Sequence, residues 1–415
     1  MALTQSELAR RLRAARVNCG LTQQQVAEAL GIPRTAVVQM EAGSRAISSL
    51  ELVEMARLYG RMVGDFVNDE AFEEDSVVAL FRATPGVAED PVLIEELHKC
   101  VKLCREATQL EHLLGLAPKH TLLVNYSLEA PANRWEAILQ GRYLAGQERS
   151  RLDLGASPIW EIAEIIRRQG VRVAEYKMPE NISGLFFHGR EIGLVIVVNR
   201  GHRRNRRLFS YAHEYCHLLA DRDRSGVVSR VENRDELVEV RANAFAAHFL
   251  MPEAGVRAFL QTLGKGEETR QVQELYDGAG QVSVQKRMSP GSQDLQVHDV
   301  VSLANHFGVS YEAALYHLLN LKFIPKDRFE ALREQQETAS LIARTFHVAA
   351  LDEDVHWTLT EQVLAPGFEA YRRGEISRNK LLELAEETGV ARRDVAQALK
   401  ANNIDDKSMH DILPE

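Results

Sequence analysis

His213-Glu214-Tyr215-Cys216-His217 puts two imidazoles four residues apart, with a carboxylate beside the first. On an α-helix, side chains at that spacing share a face one turn apart, so both rings can reach one metal ion. A metal that hydrolyses amides needs neutral nitrogen ligands, an open coordination position and a base for the attacking water. His213 and His217 fit the first requirement, and Glu214 fits the last. The run Arg207-Leu208-Phe209-Ser210-Tyr211-Ala212 before the motif and Leu218-Leu219-Ala220 after it give the apolar setting of a buried helix.

A third protein ligand is then required. Leu237 to Met251 has apolar residues recurring at three and four and is closed by Pro252, so a second helix is expected there. Glu239 lies 22 residues beyond His217, enough for a loop and a returning antiparallel helix. Asn243 sits one turn further on the same face and can orient a ligand imidazole. Glu236, nearer the loop, is the rival ligand. Tyr211, His202, His188 and His248 are the candidates for stabilising an oxyanion, and the sequence does not choose among them. Cys216 points away from the two histidines and is expected in the core.

The elements that must position these residues come just before the motif. Ile159 to Gln169 reads as a helix, and Val171–Tyr176, Ser183–Phe187 and Ile192–Asn199 read as strands, the last two joined by a turn at 188–191. A small antiparallel sheet is therefore expected against the motif helix, with an exposed edge able to pair with an extended peptide. Arg203, Arg204, Arg206 and Arg207 form a basic run before the helix, read either as solvated surface or as a patch for an acidic partner or DNA.

At 415 residues the chain calls for several cores. Its 45% hydrophobic and 26% charged residues are those of a globular protein, and its net charge of -9 argues against general coating of nucleic acid. No apolar run is long enough for a membrane span and no signal pattern opens the chain, so a cytoplasmic protein is expected. Four cysteines make no disulfide framework, and Cys100 and Cys104, with His98 nearby, read as packing.

The N-terminal residues carry a second pattern. Thr22 caps Gln23–Leu30, Gly31 makes a tight turn, Pro33 precedes Arg34–Glu41, and Gly43 ends that helix. This segment resembles the XRE, or lambda-repressor-like, family in the form L-T-Q-x-x-V-A-x-x-L-G-I-x-x-x-x-V-x-x-M-E-x-G-x-R. The resemblance implies that Arg34, Thr35 and Gln39 contact base edges, that Gln23 sits at a phosphate and braces the recognition helix, and that Arg45 holds the DNA backbone. Residues 6–66 carry eight basic and six acidic side chains, so a protein-binding module on the same scaffold is the alternative. So small a reader is expected to work as a homodimer on a palindromic operator.

The order strand, strand closed by Asn, H-E-x-x-H helix, then E-V-R-A-N-A-F-A-A-H-F-L-M-P resembles the ImmA/IrrE metallopeptidases over about residues 155–260. The resemblance implies a Zn2+ site with Glu239 as the third ligand. It also implies a regulatory protein as substrate: a repressor, a toxin–antitoxin partner or the chain itself. Tyr215-Cys216 replaces the commoner small or Leu-Gly pair, and the bulk of Tyr215 is a possible obstacle to access.

The expected fold is mainly α and multidomain. A five-helix helix-turn-helix domain covers 1–68, a helical linker or dimerisation region 69–150, with loops near Pro85-Gly86 and Pro118, and an α+β zincin-like metallopeptidase core 151–265. A flexible insertion follows at 266–296, then a C-terminal helical region at 297–415 with two helix-turn-helix-like units around Gly308 and Gly389. The function expected is a DNA-binding regulator with a zinc endopeptidase domain; the alternative is a non-proteolytic repressor whose peptidase-like domain is a sensor.

Overall fold

Short polar and glycine signals set the helix ends of the N-terminal unit. The Thr22 hydroxyl accepts the Gln25 N–H, while the Gln25 side chain accepts the Thr22 N–H, a reciprocal capping box. Gly31 then turns the chain at φ +64°, a left-handed conformation that costs glycine nothing. In the computed structural model of the chain, helices Gln5–Asn18, Gln23–Leu30, Arg34–Glu41, Ser49–Leu58 and Val63–Val67 surround one core. Leu12, Val26, Val37, Met40, Met55 and Phe66 fill it. The structure describes residues 4–18, 21–59, 63–67, 91–116, 124–189, 191–222, 226–230, 233, 235–265, 270–277, 280–287, 291, 293–346 and 358–401. The loops expected near Pro85-Gly86 and Pro118 lie outside these residues.

Four strands make the central sheet: β1 (Val171–Tyr176), β2 (Ile182–Gly189), β3 (Gly193–Asn199) and β4 (Gly226–Arg230), in the order β1-β3-β2-β4. The sheet is mixed, which corrects the antiparallel expectation: β2 pairs antiparallel with β3 and β4, but β1 runs parallel to β3. The cause is the crossover. Tyr176 lies beside Asn199 at the end of β3, and the chain rounds that end before it enters β2. Asn199 pins the crossover from inside. Its amide nitrogen donates to the carbonyls of Met178, Pro179 and Ile182, and its oxygen accepts the N–H groups of Met178 and Gly201.

Both faces of the sheet are covered, which is why β3 reads as an unbroken apolar run and is buried throughout. Val173, Phe186, Ile196 and Val198 pack with the motif helix (Arg204–Ala220) and the returning helix (Leu237–Leu250). Ala174, Leu185, Phe187, Val195 and Val197 pack on the other side with the helix Pro91–Leu113 and the C-terminal helices Thr360–Arg372 and Arg378–Glu387. Cys100 and Cys104 are buried in that second core, and Cys216 in the first.

The helix Arg134–Arg151 runs through the boundary expected at 150 and lies against the returning helix. Gly141 permits this approach, since a Cβ there would stand 2.4 Å from the Arg241 carbonyl. Within the segment expected to be a flexible insertion, Arg270–Asp277 and Gly280–Arg287 pair as an antiparallel hairpin. Alternation such as that of Val282-Ser283-Val284-Gln285 is the strand signal there. Val297–Phe307, Gly308 and Tyr311–Asn320 form a helix-turn-helix packed into the first core, where the His317 ring meets the Met251 carbonyl at 2.8 Å. No helix among the described residues is long and apolar enough to cross a membrane.

Candidate metal centre

The motif helix and the returning helix lie side by side, and their facing sides carry the candidate ligands. His213 Nε2 lies 3.2 Å from His217 Nε2 and 3.0 Å from Glu239 Oε2, and His217 Nε2 is 3.6 Å from Glu239 Oε1. All three side chains are buried. Nitrogen and oxygen ligands about 2.0–2.2 Å from a tetrahedral zinc stand roughly 3.3–3.6 Å from one another, close to this spacing.

The protons on the two rings are set from behind. His213 Nδ1 faces Asn243 Oδ1 at 3.0 Å, and His217 Nδ1 faces Asp221 Oδ2 at 2.8 Å. Both partners are acceptors, so each Nδ1 carries the hydrogen and each Nε2 turns a lone pair inward. Two lone pairs and a carboxylate then converge without a donor among them. Such a cluster requires positive charge, and a divalent cation meets that requirement. Without a cation the cluster retains a proton. Burial works to lower the His217 pKa, yet the Asp221 and Glu239 carboxylates lift it to about 10. Burial works to raise the Glu239 carboxyl, and the two imidazoles hold it well below the carboxylate range. Among the described residues, His213, His217 and Glu239 form the only group of three or more metal-ligating side chains so arranged.

Glu214 stands beside the cluster and is fully buried. Neither of its carboxylate oxygens has a hydrogen-bond partner. Burial raises its pKa to about 7, the two histidines working against that rise. An unpaired buried carboxyl is costly to keep, so this one is held for a ligand or a proton. Space for it comes from Gly184 on β2, where a Cβ would come within 2.9 Å of Glu214 Oε1. The Ser229 hydroxyl on β4 is its polar neighbour, lying outside hydrogen-bond geometry yet acting with the histidines to hold down the rise in the Glu214 pKa.

Glu236, the rival ligand, is the exposed N-cap residue of the returning helix. Tyr211 is committed to Glu175 at 2.8 Å, and His248 packs edge-on against the His317 ring at 4.7 Å. His202 binds the Glu180 carbonyl at the crossover. His188 is nearest in kind to the site: it stacks on Phe186, which stacks on His217. Tyr215 does not obstruct the centre. It is buried on the far side of the motif helix and donates to Glu148 Oε1.

Sequence reasoning missed Asp221 and Arg241. Asp221 follows His217 by four residues and closes the motif helix, so its spacing was a signal. The buried Arg241 guanidinium donates to Asp221 Oδ1 and, at 3.2 Å, to Gln140. Gly184 and Ser229 carried no signal, because their importance depends on where the sheet meets the helix.

In the N-terminal unit Arg34, Thr35 and Gln39 lie exposed along the helix Arg34–Glu41. Gln23 donates to Glu41 at 2.9 Å, and Arg16 pairs with the same carboxylate, so Gln23 braces the end of that helix. Arg45 is half-buried and paired with Glu51 at 2.7 Å.

Residues 166–319 match a peptidase-family model described as the IrrE N-terminal-like domain, and residues 12–61 match a model described as helix-turn-helix. The first match spans β1 to β4, the motif helix and the returning helix. Over these two stretches the chain is similar to a helix-turn-helix domain and to an IrrE-like peptidase domain. No curated protein matches it.

Proposed function

We propose that the protein is a zinc-dependent endopeptidase, brought to its place of action by its DNA-binding domain, that cleaves a regulatory protein. The observation that carries this reading is the donor-free convergence of His213, His217 and Glu239 beside an unpaired buried carboxyl. Soft thiolates are absent from the set, and two imidazoles with one carboxylate suit zinc. When bound, the ion supplies Lewis acidity and makes a water nucleophilic near neutral pH. His213, His217 and Glu239 hold it, and Asn243 and Asp221 fix the two rings. Glu214 takes the proton of the attacking water and returns it to the leaving amine.

The substrate lies extended along β4, the short strand at the sheet edge next to Ser229 and Glu214. Its main chain pairs with the free edge of that strand. Arg34, Thr35 and Gln39 read base edges, with Gln23 and Arg45 positioning the module, and a homodimer reads two half-sites. Tethering at an operator raises the local concentration of the peptidase near proteins bound there. The target is a repressor, a toxin–antitoxin partner or a second copy of the chain.

The test is a cleavage assay of the zinc-loaded chain against the proteins encoded beside it, with Glu214→Gln as the comparison. The variant is expected to keep zinc and lose about 10²–10⁴-fold in rate. Cutting at the wild-type rate by Glu214→Gln would remove Glu214 as the base. Absence of cutting by the zinc-loaded wild type would leave a zinc-holding sensor in place of a peptidase.

A further inference from the structure

The basic run before the motif helix is built against the usual rule for helix ends. The N-terminus of a helix carries partial positive charge and favours acidic side chains. Here the first turn holds no acid, Arg203 is the N-cap residue without a side-chain cap, and Arg204, Arg206 and Arg207 follow. Two of the four are accounted for within the fold. Arg207 pairs with the buried Glu175, and Arg206 reaches the Glu180 carbonyl. Arg203 and Arg204 instead line a cavity of about 650 Å³ between this first turn and the C-terminal helical region. Arg344, on the helix Gln336–Thr345, lines the same cavity from the opposite side. Arg203 and Arg344 have no ion pair among the described residues, and Arg204 has only a 3.7 Å contact with Glu161. Against the three arginines the lining has one acid, Glu312.

The rest of the lining is of a different kind. Trp160 and Tyr311 are part of it, together with the small apolar side chains Ala339 and Ala343. Trp160 lies against the Gly308 turn, where a Cβ would meet its ring at 3.4 Å. The volume is within the range of small-molecule sites, about 300–1,000 Å³. Guanidinium groups and a helix N-terminus together bind phosphate or carboxylate, and an indole edge with small apolar neighbours binds a flat ring.

We propose that this cavity is a binding site for a small organic anion carrying a planar ring, the chemistry shared by a nucleoside monophosphate and an aromatic carboxylate. The anionic group sits among Arg203, Arg204 and Arg344 at the helix N-terminus, and the ring lies against Trp160. A ligand there relieves the accumulation of like charge at the start of the motif helix, whose other end carries His213 and His217. The binding claim stands whether or not the chain cuts peptide bonds.

Isothermal titration of the full-length protein with AMP and with 2-naphthoate separates the two sources of such an anion. Adenosine and inorganic phosphate supply the ring alone and the anion alone. Saturable binding of AMP or of 2-naphthoate at one site per chain is expected, with adenosine and phosphate each at least tenfold weaker than AMP. Arg203→Gln with Arg344→Gln is expected to weaken that binding roughly ten- to hundredfold at an unchanged melting temperature, since both side chains are exposed. Trp160→Ala tests the ring position independently and is expected to weaken the ring-bearing probes while leaving phosphate unchanged. The proposal is overturned if neither AMP nor 2-naphthoate binds, if phosphate binds as well as AMP, or if the arginine variant binds them like the wild type. It is also overturned if the arginine variant loses affinity for duplex DNA alone, which would make the basic run a nucleic-acid surface.

Discussion

Replacing Asp221 with Asn separates two jobs that one carboxylate does. Asp221 Oδ2 accepts the His217 Nδ1 hydrogen at 2.8 Å, and Oδ1 accepts from Arg241. Asp221 and Arg241 are both buried, at 4% and 2% exposure, so neither charge is relieved by water. Asn keeps an acceptor for the imidazole but removes the negative charge that makes His217 a stronger donor to a metal. Loss of such an outer partner weakens metal binding about 10–100-fold. The same change leaves the Arg241 guanidinium charged in the core, where Gln140, at 3.2 Å, is its remaining side-chain partner among the described residues. Breaking a buried ion pair from one side costs about 3–5 kcal/mol. Asp221→Asn should therefore lower both zinc affinity, read by competition with a chromogenic chelator, and stability, read by urea unfolding of the metal-free chain. Adding Arg241→Met removes the stranded charge and should restore most of the stability without restoring zinc affinity. If the second substitution restored both, or if Asp221→Asn bound zinc like the wild type, Asp221 would be a counter-ion for Arg241 and would have no part in positioning His217.

Gly184→Ala would bring a Cβ within 2.9 Å of Glu214 Oε1 and 3.1 Å of the Val197 carbonyl, so the Glu214 carboxyl must shift. Turnover should fall about 10²-fold with zinc content unchanged; full activity would show that the position of Glu214 is not critical. Burial lowers the pKa of His317 to about 4, and burial together with the charge of His317 lowers that of His248 to about 3. Both values lie below that of the unfolded chain, so as pH falls from about 6.5 the unfolded state takes up protons first and stability drains away toward pH 4. His317 alone should cost about 2 kcal/mol between pH 7 and pH 5. That loss should shrink in metal-free His317→Gln, and an identical acid response in the variant would refute the assignment.

The chemistry was more legible in the sequence than the scaffold. The helical repeat places His213 and His217 on one face and Glu239 and Asn243 on another, but it leaves Glu236 as a rival that the ImmA/IrrE resemblance ranks below Glu239; the structure brings His213, His217 and Glu239 together. The bracing role of Gln23 comes from the resemblance of its segment to the XRE family, and its hydrogen bond to Glu41 agrees with that role. The parallel pairing of β1 with β3 was not legible, since strand direction depends on the path of 177–181 around Asn199. β4 is too short for alternation to identify. Asp221, Arg241, Gly184 and Ser229 matter because of what is packed against them, and no periodicity encodes that. The hairpin at 270–287 lay among glycines and polar residues whose composition suggested a loop, whereas its alternation specifies strands.

The central claim is that two imidazoles and the Glu239 carboxylate hold one divalent ion. Zinc titration of the metal-free chain tests it most directly, with Glu239→Ala and Glu236→Ala measured beside the wild type. One tight zinc per chain is expected in the wild type and in Glu236→Ala, and none of comparable affinity in Glu239→Ala. Equal binding by Glu239→Ala and the wild type would contradict the claim.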